Sequence, residues 1–375
     1  MLETDILIIG GGPAGSTLAW ALKKFGLDSV IMDKAQFPRH KVCAGWVTPA
    51  VMQELEVDVE EYASQYVLQP IHAFHTGLMG TTPVRSDFTG APVSYGIRRF
   101  EFDNFLLRRS GAELRLGEPV KSLRFENNMW IVNDTIRAAL IVGAGGHFCP
   151  VAGKINEKNP AETAVTAQEI EFEMSPQQLG QCPVDASAPE LFFTRDLKGY
   201  GWVFRKGNYL NIGLGREDKH RLTGHVRRFC ADLAAAGRIP GDLTEKFKGH
   251  AYLLYPHTKR KLVDDGVLLI GDSAGLAYVQ SGEGIRPAVE SALLAAKVIR
   301  DCRNDYSTNR LNTYVTELEQ RFGKRQPTPK LTEYLPADFR RVLAGWLMKN
   351  PWLSKNLLVK RWFLHAQKKP LLLFE

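Results

Sequence analysis

The residues best suited to chemistry stand near the start of the chain. Gly10-Gly11-Gly12-Pro13-Ala14-Gly15 follows G-x-G-x-x-G. In that spacing Gly10 permits a tight turn, Gly12 lets the main chain approach a diphosphate, and Gly15 lets a helix pack closely on a strand. Free amides at the start of the helix then face the anion. Asp33, further on, stands where a carboxylate can accept hydrogen bonds from ribose hydroxyls. The chemistry implied is capture of a dinucleotide.

Such capture needs a strand, a turn, a helix and a second strand in order. Residues 6–9 are an unbroken apolar run, residues 13–25 carry helical spacing in Ala14, Leu18, Ala19 and Leu22, and residues 29–32 read as the second strand. The crossover of this βαβ unit should be right-handed. Gly143-Ala144-Gly145-Gly146 also follows an apolar strand, but it lacks the third glycine, and Pro150 is expected to interrupt the helix. One dinucleotide site is therefore expected. A nicotinamide donor would have to visit without a nucleotide domain of its own.

Gly271-Asp272-Ser273-Ala274-Gly275 and Gly282-Glu283-Gly284-Ile285 follow the apolar strand at 267–270 and precede a helix at 287–300. Asp272 is placed either to accept hydrogen bonds from a polyol or to cap an ordinary strand–loop–helix unit. In the first case the helix start would favour negative charge on a reduced ring.

The spacing predicts helices over 97–112 and 223–236, a hairpin over 113–134, and strands through 164–214 with a turn at 206–208. Tyr200, Trp202 and Phe204 alternate and so share one strand face. That face is either half-buried core or a cavity wall. Elements of the nucleotide fold occur toward both ends, with an antiparallel sheet between them. The expected class is α/β with two interleaved domains.

The 375 residues carry a net charge of +7 and an ordinary globular composition. Zinc-finger spacing and arginine tracts with interleaved aromatics are absent, so nucleic acid is not an expected partner. The five cysteines, among them Cys43, contain no C-x-x-C. A cytoplasmic setting without disulfides is expected. His72 and His75 lack a third ligand at metal spacing, so no metal site is expected. The tail mixes Arg340, Arg341, Lys349, Lys355, Lys360, Arg361, Lys368 and Lys369 with Trp346, Trp352 and Trp362. It reads as two short helices divided by Pro351, forming either a cap on the body or a peripheral membrane contact.

Taken together, residues 10–15, the helix start Arg99-x-x-Phe102-Asp103, Gly143-Ala144-Gly145-Gly146, Gly271-Asp272 and Gly282-Glu283-Gly284-Ile285 resemble the FAD-dependent oxidoreductases of the para-hydroxybenzoate-hydroxylase fold. Lys41-Val42-Cys43-Ala44-Gly45-Trp46 and Tyr200-Gly201-Trp202-Val203-Phe204 are similar to their geranylgeranyl reductase branch. The resemblance spans about residues 1–299. It implies a Rossmann-like FAD-binding domain over 1–70, 97–150 and 260–303, interleaved with an antiparallel-sheet substrate domain over 71–96 and 151–259. Beyond the resemblance, the tail's own residues give a helical C-terminal segment over 304–375.

The resemblance further implies FAD contacts from Gly10, Gly12, Ala14, Gly15, Cys43, Ala44, Arg99 and Val120, with Asp33 on the ribose. Asp272 would meet the ribitol, Gly284 and Ile285 the isoalloxazine, and Tyr200, Trp202 and Phe204 the substrate. Ala44 stands where the family often has Gly, Arg205 where it often has Pro, and Gly145 where the wider fold usually has Asp. Cys43 is either a proton-donating thiol or a small packing residue. The implied activity is reduction of a carbon–carbon double bond in a hydrophobic, isoprenoid-like substrate, with NAD(P)H as a transient electron donor. The alternatives are a flavin-dependent monooxygenase and a non-catalytic redox sensor.

Overall fold

The computed structural model describes residues 1–157, 162, 164–218, 221–240, 243, 246–325 and 336–374. The other residues of the 151–259 and 304–375 segments lie outside the described residues.

Strand β1 (Leu2–Ile9) runs between Ile136–Gly143 and β2 (Val30–Asp33), parallel to both. Val267–Leu269 and Glu113–Leu116 extend this parallel array on its two sides. Ile6, Leu7, Ile8 and Ile9 are all buried, as befits a central strand covered on both faces. Helix α1 (Pro13–Lys24) packs beside the long helix Ile285–Cys302, so the first and third glycine motifs converge although they lie far apart in the chain.

Three local expectations are corrected. Residues 113–134 are not one hairpin: Glu113–Leu116 pairs in parallel with β2, and only Leu123–Glu126 and Met129–Val132 form an antiparallel ribbon. The helix expected over 97–112 spans Arg99–Arg108, because Ile97 still belongs to the strand Ser94–Ile97. Pro150 does not block a helix; it opens the short helix Pro150–Ile155. A proline there loses no hydrogen bond, since the first helical amides have no partner within the helix.

A second sheet runs in the order Lys248–Tyr252, Val165–Glu173, Tyr209–Arg216, Gly199–Lys206, Glu190–Phe193, Ala73–Leu78, Val84–Asp87. Its alternation assigns two opposed faces. Ile170, Phe172, Val203, Leu210, Ile212 and Leu214 pack with Val226, Phe229 and Leu233 of the helix Leu222–Ala235. The other face presents Ala167, Tyr200, Trp202 and Phe204, which join Trp46, Phe74, Val359 and Phe363. The C-terminal segment therefore covers part of this aromatic face. It comprises Ala337–Lys349, then Pro351–Leu353, then a π-helical run over Ser354–Phe363. Asn350 caps the break at Pro351, its Oδ1 accepting from the amides of Trp352 and Leu353. Among the described residues no helix is long and apolar enough to cross a membrane.

Candidate functional site

A cavity of about 750 Å³ runs from the first glycine turn to the aromatic face of the second sheet. At one end it is lined by Gly10, Gly12, Ala14, Asp33 and Val120. The middle is lined by Arg39, Lys41, Cys43, Ala44, Arg99, Asp272, Gly284 and Ile285, and the far end by Trp46, Tyr200, Trp202 and Tyr252.

The glycine end is built from backbone. A Cβ added at Gly15 would lie 1.9 Å from the carbonyl oxygen of Gly10, so only glycine allows this contact between helix and turn. Gly15 thus supports the wall without lining it. Asp33 is anchored by the same turn and by its own chain: Oδ2 accepts from the Gly11 amide and Oδ1 from the Ala35 amide, both at 2.8 Å. The second glycine run is not a separate site, because Ala144, Gly145 and Gly146 line this same cavity.

Two guanidiniums share one buried acid. Arg99 binds Asp103 through both carboxylate oxygens, at 2.6 and 2.7 Å, and Arg39 approaches the same carboxylate at 3.3 Å. Among the described residues, Arg39 Nη1 is buried without a hydrogen-bond partner. An unpaired buried cationic nitrogen beside a glycine cradle suits a diphosphate, so the residues present fit a dinucleotide.

Next comes a chain of titratable groups. Lys41 Nζ lies 2.9 Å from His250 Nδ1, and His250 Nε2 lies 3.5 Å from Asp272 Oδ2. Burial, reinforced by the nearby Arg99, brings the Lys41 ammonium down to about 8. Burial likewise lowers His250, despite its hydrogen bond to Asp272. Burial pushes Asp272 upward but is outweighed by His250, Lys41 and Arg99, which hold its carboxyl below the ordinary value. Gly284 and Ile285 open the helix Ile285–Cys302 at the cavity wall, close to Asp272.

The aromatic end departs from the sequence expectation at one position. Tyr200 and Trp202 line the cavity, whereas Phe204 is fully buried against Trp46 and does not reach it. Tyr200 donates its hydroxyl to the carbonyl of Ser281, tying this wall to the loop before Gly284. Trp202 Nε1 donates to Asn211 Oδ1 at 2.7 Å.

Asn211 belongs to a buried polar cluster that pattern reading missed. Its Nδ2 donates to the Cys43 carbonyl at 3.2 Å and approaches Glu169 and Glu171. Lys206, fully buried, donates to the carbonyls of Ala44 and Ile97, each at 3.0 Å, and to Glu171. Four side chains thus hold the backbone behind Cys43 and Ala44. Burial raises Glu169 to about 8, only partly countered by Lys206. Burial also raises Glu171, but the charge and hydrogen bond of Lys206 outweigh it and leave the carboxyl below its usual range. A signal was present: Glu169 and Glu171 recur at strand spacing on the face that carries Ala167, and Lys206 continues the face of Tyr200 and Trp202.

The FAD binding domain family model matches residues 3–61. A digeranylgeranylglycerophospholipid reductase of Methanocaldococcus jannaschii is 26% identical over 360 residues, covering 90% of this chain and 86% of that one. An uncharacterized protein of Methanosarcina barkeri is 29% identical over 317 residues, covering 80% and 75%. The solved structure of a geranylgeranyl bacteriochlorophyll reductase-like protein from Thermoplasma acidophilum superposes with a TM-score of 0.76 at 20% identity, covering 99% of this chain and 97% of that one. The fold is shared along nearly the whole chain, and the cofactor is FAD.

Proposed function

We propose that this FAD-dependent oxidoreductase is a reductase that saturates a carbon–carbon double bond in a hydrophobic, isoprenoid-like substrate. The observation that carries the reading is the single cavity joining the glycine turn to the aromatic wall of Trp46, Tyr200, Trp202 and Tyr252. Relatives named as reductases of geranylgeranyl lipids support it.

In this reading Gly10, Gly12, Ala14 and Gly15 shape the diphosphate cradle, Arg39 and Arg99 supply its positive charge, and Asp33 and Val120 hold the adenosine end. Cys43, Ala44, Asp272, Gly284 and Ile285 surround the redox-active end. FAD, once reduced by a donor such as NAD(P)H, supplies the hydride. The protein orients the alkene against Tyr200 and Trp202 and excludes water with aromatic surface. A proton must join the second carbon. Lys41 and Cys43 both line the cavity, and Lys41 is poised by burial to release a proton near neutral pH.

Anaerobic turnover tests the reading. Protein reduced with dithionite should convert members of an isoprenoid alkene panel to saturated products, read by mass spectrometry. Turnover that requires oxygen would instead make the enzyme a monooxygenase. No product under either condition would leave a redox sensor.

A further inference from the structure

The chain's positive charge is concentrated at one end. Residues 339–374 hold eight Lys or Arg and no Asp or Glu. The whole chain has 48 basic and 41 acidic residues, so removing those eight leaves 40 against 41, a net charge of −1. The basic balance of the protein therefore belongs to this segment.

Exposed apolar surface is concentrated there too. Eleven large apolar side chains are exposed among the described residues, and seven of them fall in 339–374. On the helix Ala337–Lys349, Phe339, Val342, Leu343 and Trp346 follow i, i+3, i+4, i+7 spacing and form one outward row. The opposite side of this helix meets the body, with Met348 buried and Gly345 beside Leu78 of the second sheet. Trp346 is 58% exposed and Trp352, just past the break, 68%. Lys349 lies one turn beyond Trp346, and Lys360 and Arg361 are exposed on the run that follows.

We propose that this segment docks the protein on an anionic lipid surface. Trp346 and Trp352 would sit at headgroup depth, and Lys349, Lys360 and Arg361 would face lipid phosphates. A second copy of the chain is a poor occupant, because a two-fold contact would bring two basic segments together. A nucleic acid would reward the charges but not the exposed Val342 and Leu343. The inner side of the same segment lays Phe363 against Trp46 and Tyr200 of the cavity wall. Docking would therefore put the cap of the aromatic end at the bilayer. That corollary rests on the reductase reading, whereas the docking itself rests on the surface alone.

Flotation of the full-length, FAD-loaded protein tests the proposal without substrate or electron donor, so its outcome is independent of turnover. Vesicles of phosphatidylcholine with phosphatidylglycerol should carry the protein upward, and phosphatidylcholine alone should carry much less. The double variant K360Q/R361Q should lose about five-fold in partition for each charge removed. W346S/W352S should also lose flotation, with the bound-flavin spectrum of each variant showing that the body is intact. Three results would each overturn the proposal: no flotation of the wild type, equal flotation on both vesicles, or wild-type flotation by both variants. A fourth would be duplex DNA displacing the protein from vesicles and binding W346S/W352S as tightly as wild type.

Discussion

Two parts of the cavity wall, its glycine end and its middle, are built by different means. At the glycine turn the wall is backbone, and side chains matter there chiefly by their absence. At Cys43 and Ala44 the wall is also backbone, but it is held from behind by the side chains of Lys206, Asn211, Glu169 and Glu171. The first design is local and tolerates no added volume at Gly10 or Gly15. The second is assembled from three strands and depends on charge balance. Steric substitutions should therefore be decisive at the glycine end, and charge substitutions and pH in the middle.

The largest effect is expected from Gly15→Val. Its Cβ would have to occupy space 1.9 Å from a main-chain oxygen that has no freedom to retreat. The variant should be insoluble or purify without flavin, read from the flavin-to-protein absorbance ratio. Full flavin content would show that the turn is less rigid than the contact implies.

Next comes Lys206→Met, which leaves Glu171 and two carbonyls without their buried cation. Breaking such a pair from one side costs about 3–5 kcal/mol. Denaturant unfolding of the FAD-loaded protein should show that loss, and adding Glu171→Gln should recover a large part of it. Were the double variant no more stable than Lys206→Met, the cluster would be acting through packing and not through charge.

This difference in construction also explains what was legible in the sequence. The glycine turn, β1, α1 and β2 are contiguous, and each choice of residue agrees with the next, so order alone revealed them. Asp272 and Gly284 were legible for the same reason. The polar cluster was not, because Lys206, Asn211 and Glu169 meet only once three antiparallel strands are in register. His250 and Lys41, 209 positions apart, are the same case. Alternation left the face of Phe204 open between core and cavity wall; the resemblance assigned it to the substrate, and neither tells how far along that face the cavity extends. The parallel pairing of Glu113–Leu116 was missed because a short strand beside another short strand reads as a hairpin until the sheet order is known.

Glu169→Gln should have a smaller, pH-dependent effect. The unfolded carboxyl titrates near 4.5 and the folded one near 8, so between those values the native state holds a proton that the unfolded state has lost. Stability contributed by this group is present in full below about 4.5 and falls as the pH rises through the window. Glutamine mimics the protonated form and should remove that slope. The gap between wild type and variant should widen by on the order of a few kcal/mol from acid to mildly alkaline pH. Glu283, which burial also raises to about 8, is present in both proteins and cancels in the difference. Parallel stability curves would mean that Glu169 is ionised throughout and that Lys206 neutralises both acids.

The smallest effect, and the finest test of the contrast, is expected from Tyr200→Phe. The ring would keep its place beside Trp202 and Phe363, so the shape of the wall would survive. What is lost is the hydrogen bond to the Ser281 carbonyl, which links the aromatic sheet to the loop leading into Gly284 and Ile285. Removing one neutral partner from a buried carbonyl costs about 1 kcal/mol, enough to loosen the loop without unfolding the protein. If the loop meets the redox-active end of the cofactor, the flavin absorbance spectrum should shift while flavin content stays unchanged. An unshifted spectrum with weakened substrate binding would instead assign the hydroxyl to the substrate side. The aromatic end would then work by direct contact, and its likeness to the glycine turn as a support for the cofactor would end at Ala44.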